Sequence, residues 1–516
     1  MSRALMPVWP SVVHMLDAAA RQSPDRLALA CDDETLTYRG YAACVAGLAL
    51  ELQAAGVGAG TRAALLMGNS LDIAIATFAV QAAGAQVVPL NPGYTASELA
   101  PMLADADPAA VLYDSALEAT LTPLLDAPPM RAAQVRIEVG PAARRFTAWR
   151  DDASLAAQVP LPDPDALSTL QYTGGTTGRA KGVDLDHRAV AINVSPREAL
   201  LPTQPARDVV LVATPLFHVY AVAMGLYLAA YARATLVIVP RYRPETVLEA
   251  SARHRVTLLA ASPTILVGLL GCEAFGRADL RSLRLTFSGA SALPQATLER
   301  WEAATGCPVV EGYGQSEAGP VLAYNPARGV RKVGSVGMAL PETRLEIVDL
   351  DAGRRVLPAG EAGEIRARGP QIMRGYRNRP DETAAALREG WLHTGDIGEL
   401  DADGYLFIRG RKKEMAIVGG FNVYPREIEE ALCAHPGVAE AAVIGVPDAY
   451  RGEALVATVV PADPHLTATA LQAHLAARLV TYKLPRELRL VAALPKTGIG
   501  KVDKVALKDE VLRAAD

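Results

Sequence analysis

Tyr172-Thr173-Gly174-Gly175-Thr176-Thr177-Gly178-Arg179-Ala180-Lys181-Gly182 is the stretch on which the reading of this chain turns. Four glycines, three threonines and two cations fall within eleven residues. Glycine lets the backbone turn tightly and aim successive N–H groups at one point. Threonine adds hydroxyl donors, and Arg179 and Lys181 add positive charge. The combination suits a polyphosphate. It departs from the Walker loop, which needs Ser or Thr directly after its lysine, whereas Gly182 follows Lys181.

On the N-terminal side of this loop the chain alternates short apolar runs with helical patterns. Residues 63–67, 85–90 and 109–113 read as strands. Asn69-Ser70 can cap a helix from Leu71 to about Ala83. Thr95 with Glu98 forms a capping box for a helix over 96–104, although Pro101 weakens its second half. Such alternation implies parallel strands with helices on both faces. On the C-terminal side the rhythm resumes, with strands at 209–213, 235–239, 257–260, 283–288 and 309–311. Ligands in open α/β sheets sit beyond the carboxyl ends of strands. The turns at Thr173, His218, Ser262, Gly289 and Glu311 all meet that condition, so five distant turns can converge on one cleft.

Near residue 345 the composition changes to short alternating strands, at 344–348, 363–368 and 405–409, read as a small antiparallel subdomain. From about Arg411 a further unit begins. Pro425 starts a helix through Cys433, strands follow at 438–446 and 454–460, then a helix over 468–479 and a strand at 488–491. The expected architecture is α/β: a large N-terminal domain of doubly wound sheets with a small β subdomain, residues 1–410, and a small mobile α+β C-terminal domain, residues 411–516.

The 516 residues are too many for one compact core. A net charge of -5 argues against a nucleic-acid partner. Five scattered cysteines without a CxxC pair argue against a disulfide framework or zinc site and fit a reducing cytoplasm. The N-terminus lacks the apolar run of a signal peptide, and the C-terminus carries no lipidation signal. The most apolar stretch, 219–232, is too short to span a bilayer and reads as a buried helix, so no integral membrane segment is expected.

The glycine loop, with later motifs, resembles the adenylate-forming superfamily of acyl-CoA synthetases, stand-alone adenylation enzymes and luciferases. Leu170-Gln171 and the paired glycines are most similar to its fatty acyl-CoA synthetase branch. The likeness covers nearly the whole chain. It implies that Thr173, Gly174, Gly175, Thr176, Thr177, Gly178 and Lys181 hold the phosphates of ATP. Glu311-Gly312-Tyr313-Gly314-Gln315-Ser316-Glu317 resembles the second core motif. There Tyr313 would stack on adenine, Ser316 reach the α-phosphate, and Glu317 bind Mg²⁺ as a hard oxygen ligand. Ser288-Gly289-Ala290 resembles the adenine-side turn. Trp391-Leu392-His393-Thr394-Gly395-Asp396 resembles the motif whose aspartate, here Asp396, takes the ribose hydroxyls. In Arg409-Gly410-Arg411-Lys412-Lys413-Glu414, Arg411 matches the ribose-contacting arginine and Lys413 the interdomain hinge. Gly419-Gly420-Phe421 matches the turn that faces the pantetheine of coenzyme A once the small domain has rotated. Lys501, in Pro495-Lys496-Thr497-Gly498-Ile499-Gly500-Lys501, matches the lysine that bridges the carboxylate and the α-phosphate.

Pro215-Leu216-Phe217-His218-Val219-Tyr220 bears on the acid. Amino-acid-activating relatives carry an aspartate in this neighbourhood to hold the ammonium group; none stands here, and an unpaired ammonium would be costly to bury. His218 matches the gate beside the acyl carboxylate. The small and flexible residues Val222-Ala223-Met224-Gly225-Leu226 are expected to line an apolar pocket. The expected activity is that of an ATP-dependent acyl-CoA ligase on a medium- or long-chain fatty acid, working through an acyl-adenylate, with ATP, Mg²⁺ and coenzyme A. An acyl-AMP ligase that loads a carrier protein, an aryl-CoA ligase and an ATP-binding scaffold without turnover are the alternatives; retention of Glu317, Asp396, Arg411 and Lys501 together weighs against the last. A homodimer is left open. Asp401-Ala402-Asp403-Gly404 superficially suggests a calcium loop, but its later ligands are missing, and a hairpin turn is expected instead.

Overall fold

The structure is a computed structural model, which describes residues 8–127, 135–140, 143–173, 180–448, 450–497 and 501–513. Gly174, Gly175, Thr176, Thr177 and Gly178 lie outside the described residues. Among the described residues the strands form four sheets.

The nine-stranded sheet carries the parallel run Thr235–Ile238, Val209–Val212, Leu258–Ala261, Leu285–Ser288 and Val309–Gly314. Strand Leu27–Cys31 pairs in parallel with Thr235–Ile238 at its far side. Arg62–Leu66, Gln86–Pro89, Ala110–Asp114 and Leu167–Thr173 lie parallel in the seven-stranded sheet. Lys181–Asp186 folds back antiparallel on Leu167–Thr173, with Thr173 opposite Lys181. Thr173 and Lys181, which flank the glycine-rich stretch, are therefore paired neighbours.

Helix Leu71–Ala82 is buried at every position, and its N-terminus is capped by the Ser70 hydroxyl, which accepts from the Ile73 N–H. A helix buried on all sides has to sit between layers. Gln81 Nε2 donates at 2.9 Å both to Ser168 Oγ in the seven-stranded sheet and to the Tyr227 hydroxyl. Tyr227 belongs to the apolar stretch anticipated as a buried helix. That stretch runs as an α turn, Val219–Ala221, a π-helical segment, Val222–Tyr227, and a second α segment, Leu228–Ala232. Thr95 and Glu98 close their capping box, and the helix continues through Pro101 to Ala106.

The five-stranded sheet holding Arg344–Val348, Gly363–Arg368, Trp391–Leu400 and Leu406–Arg411 is antiparallel. Asp401-Ala402-Asp403-Gly404 is its hairpin turn, and Lys332 Nζ pairs with both aspartates. The last sheet begins at Ala416 and is built on the hairpin of Val438–Asp448 with Gly452–Pro461. Helix Pro425–Cys433 starts on its proline, as expected. This last sheet packs its own cores, one around Ile428, Leu432, Val443 and Leu471, and another around Val446, Val456 and Leu507. Among the described residues no helix is long and apolar enough to cross a membrane.

Candidate active site

The carboxyl end of Val309–Gly314 brings Tyr313 to the crevice. A Cβ on Gly314 would lie 1.8 Å from the Pro320 carbonyl oxygen, so the backbone can take this path only without a side chain. Tyr313 donates its hydroxyl to Asp396 Oδ2 at 2.6 Å, and Arg411 Nε stands 3.3 Å from Asp396 Oδ1. Three motifs far apart in sequence thus meet on one carboxylate. Burial raises the Asp396 carboxyl above its ordinary value, and Arg411 opposes that shift.

Lys501 joins this group from the far end of the chain. Its backbone is held by the Thr497 N–H donating to the Lys501 carbonyl at 2.7 Å, and the Asp503 N–H donates to the Pro495 carbonyl at 2.8 Å. Burial first, and then the charge of Arg411, push the Lys501 ammonium down to about 8, with Asp396 acting the other way. Burial, aided by the Lys501 charge, pushes the His218 imidazole down to about 3, so the ring is neutral. His218 Nδ1 accepts the Tyr220 N–H at 3.3 Å. The turn bearing His218 is held from beneath by Asn69. Its amide donates to the carbonyls of Thr214 and Val239, and its oxygen accepts from the Leu216 N–H.

Glu317 lies on the neighbouring short turn Ser316–Ala318. Tyr376 donates its hydroxyl to Glu317 Oε1 at 2.8 Å. The Lys181 ammonium sits 4.6 Å from the centre of the Tyr376 ring and 3.1 Å from Glu382 Oε2. Lys181, the first residue of the strand after the glycine-rich stretch, is thereby connected to Glu317. Ala290 follows strand Leu285–Ser288 in a left-handed conformation, φ 70°. Glu311 turns its carboxylate under this loop and accepts the Leu293 N–H at 3.2 Å. Burial pushes Glu311 up to about 7, and Arg426 of the C-terminal unit opposes the shift.

Two groups of expected residues lie apart from the crevice. Gly419 and Gly420, φ 57° and 86°, form the two-residue turn joining Ala416–Val418 to Phe421–Val423, as a tight hairpin with both central residues left-handed requires. Phe421 is 55% exposed and stacks on Tyr482 at 4.5 Å. Lys413 is exposed in the segment between Leu406–Arg411 and Ala416–Val418.

The apolar stretch after His218 lines a cavity only in part. Val219, Val222, Ala223 and Tyr227 face it, opposite Val87, Pro89 and Leu185. Gly225 turns the other way, and a Cβ there would lie 2.3 Å from Val212 Cγ1 of the sheet. Met224 turns to Arg197. The expectation of a continuous pocket wall over 222–226 is corrected accordingly: a helical segment cannot present five consecutive residues to one side.

Sequence reasoning missed Tyr376, Glu382, Arg426 and Lys504. Lys504 Nζ bridges Glu414, next to Lys413, and Glu429, at 2.9 and 2.8 Å. Single charged or aromatic residues outside a motif carry no local signal.

Residues 16–377 match the family described as AMP-binding enzyme, and residues 427–501 match the AMP-binding enzyme C-terminal domain. The chain belongs to this family of adenylate-forming enzymes. A long-chain-fatty-acid–CoA ligase of Bacillus subtilis is 35% identical, over 96% of this chain and 93% of that protein. A feruloyl-CoA synthase of Amycolatopsis is 37% identical, over 96% of this chain and 97% of that protein. The crystal structure of the anthranilate CoA ligase AuaEII in complex with anthranoyl-AMP superposes with a TM-score of 0.90 at 27% identity, covering all of both chains. Within the family the chain is an ATP-dependent acyl-CoA ligase, an AMP-forming acid–thiol ligase with ATP and coenzyme A as substrates.

Proposed function

We propose that the enzyme activates an apolar-bodied carboxylic acid at the crevice between Tyr313, Asp396, Arg411, His218 and Lys501. The acid's carboxylate oxygen attacks the α-phosphorus of ATP, and the bond to the departing pyrophosphate breaks. The coenzyme A thiol then attacks the acyl carbon, and AMP leaves with the electron pair of the mixed anhydride. The observation that carries this reading is the placement of Lys501, a cation between the neutral His218 and the Tyr313–Asp396–Arg411 cluster. A cation already desolvated there stabilises charge that develops on the phosphoryl and carboxylate oxygens.

Asp396 and Arg411 take the ribose, Tyr313 the adenine, and Ser316, with the glycine-rich stretch from Thr173 to Lys181, the phosphates. Glu311 positions the Gly289–Ala290 turn from below. Tyr376 occupies one oxygen of Glu317, and no cluster of three or more metal-ligating side chains occurs among the described residues. One carboxylate suits Mg²⁺, which keeps waters and substrate phosphates as its other ligands and would neutralise phosphate charge there.

Residues 1–410 act as the body and 411–516 as a lid turning at Lys413. Support comes from the separate cores of the lid and from the Gly419-Gly420-Phe421 turn lying outside while Lys501 lies inside. Rotation would exchange them and bring the turn to coenzyme A. Five cysteines without disulfides support a reducing, cytoplasmic setting.

The Bacillus subtilis relative favours a medium- or long-chain fatty acid; the feruloyl-CoA synthase and AuaEII favour an aryl acid. The test is pyrophosphate release across fatty and aryl acids, with and without coenzyme A. Pyrophosphate release with thioester formed on CoA addition is the expected result. Acyl-AMP that accumulates and stays inert to CoA would replace this reading with loading of a carrier protein.

A further inference from the structure

Arg197 lies in the short helix Ser195–Ala199 and is 1% exposed. Its Nη1 points at the Met224 thioether sulfur, 2.6 Å away, and its Nε and Nη2 have no hydrogen-bond partner among the described residues. A buried guanidinium offers five donors and ordinarily meets a carboxylate. The neighbouring Glu198 does not serve: its Oε2 accepts the Thr203 N–H, and its Oε1 is itself without a partner. Thioether sulfur is a weak acceptor, so the fold leaves this cation unsatisfied. Removing such a charge by mutation should be easy for a protein that has no use for it.

The position of the guanidinium gives it a use. Met224 and Tyr220 stand four residues apart on the helical stretch that leaves the His218 turn, and both lie toward Arg197. Tyr220 is anchored at the far side of that turn, its hydroxyl donating toward the Ala261 and Phe287 carbonyls at 3.2 and 3.1 Å. Methionine, unbranched with three rotatable bonds, can withdraw where tyrosine cannot. Met224 is six residues beyond His218, roughly 9 Å along a helix axis. An acid whose carboxylate sits at His218 and whose body runs along the Tyr220–Met224 side of this helix, past the cavity that Val222 and Ala223 line, would bring its far end to the guanidinium.

We propose that Arg197 recognises an oxygen acceptor, carboxylate or hydroxyl, at the far end of the acyl group, and that Met224 occupies its place until the acid binds. The proposal rests on the acyl-CoA ligase reading above and narrows its substrate to acids with an apolar body and an oxygenated end. Burial already lowers the guanidinium to about 10, and a second oxygen would relieve that cost.

The experiment measures pyrophosphate release in the presence of CoA for matched acids. These are octanoate against its ω-hydroxy and ω-carboxy counterparts, and cinnamate against its para-hydroxy counterpart. The wild-type enzyme is expected to prefer an oxygenated member by ~10-fold or more in kcat/KM, the scale of a hydrogen bond to a charged group. The ω-carboxy and para-hydroxy arms separate an anionic from a phenolic end. In Arg197→Leu the ratio of oxygenated to plain acid should fall to about one, through KM of the oxygenated member. Arg197→Lys, which keeps the charge and loses the fork, should fall between, and covers the case in which the leucine variant does not fold. A wild-type enzyme that turns over both members of every pair alike, or a leucine variant that loses both equally, overturns the proposal while leaving the ligase reading intact. No pyrophosphate with any acid overturns both.

Discussion

Glu311→Gln tests whether the crevice carries a stored electrostatic cost. The Glu311 carboxyl is 4% exposed and rises from its ordinary 4.5 to about 7, chiefly through burial. The folded state therefore holds a proton that the unfolded chain gives up between those values. The stability this supplies is complete below the unfolded value and is lost as pH rises through about 7. At ~1.4 kcal/mol per unit the ionised form costs the fold ~3 kcal/mol. From about pH 5.5 to about pH 8.5 the growing part of that cost is ~2 kcal/mol. Glutamine keeps an oxygen for the Leu293 N–H and cannot ionise. Relative to wild type, the variant should gain that ~2 kcal/mol across the interval and level off above it. Urea titrations followed by tryptophan emission provide the assay, since Trp9, Trp149, Trp301 and Trp391 all precede the last sheet. A stability difference that stays flat from about pH 5.5 to about pH 8.5 would refute the reasoning, because a carboxyl with an ordinary value has finished titrating by then.

Four further outcomes are expected. Lys501→Ala should cut adenylate formation by ~10²-fold or more while sparing thioester formation from supplied acyl-AMP; equal loss of both half-reactions would contradict the two positions of the lid. Because Lys501 stands at about 8, kcat/KM for adenylation in the free enzyme should decline as pH rises through that value, as the ammonium form is lost. In Lys501→Arg the decline should vanish, whatever the rate. Ala223→Phe, which faces the cavity, should shift acid preference toward shorter or slimmer bodies, whereas Gly225→Trp should fail to fold, its new side chain driving into Val212; activity profiles and melting curves separate the two. Tyr376→Phe, which unties Glu317, should raise the Mg²⁺ concentration for half-maximal rate by ~10-fold, read by pyrophosphate release.

What the sequence alone could decide was local or dense. Ser70 before an apolar run, the Thr95–Glu98 box and Pro425 at a helix start are signals whose physics acts within four residues, and each element begins there. The clustered motifs were equally legible, because several glycines, hydroxyls and charges together leave few chemical uses. Tertiary structure alone decided which elements share a sheet, how the helix after His218 is rotated, and where isolated charges go. Leu27–Cys31 pairs with Thr235–Ile238 some two hundred residues on, and no local rule records such a partner. The π-helical segment sends Ala223 to the cavity and Gly225 to the sheet, a difference of direction that composition does not carry. Arg197 belongs to no motif in the sequence; only the tertiary packing buries it among tyrosines and a methionine. Local backbone energetics act over one helical turn, whereas desolvation and side-chain direction depend on every layer packed around a residue.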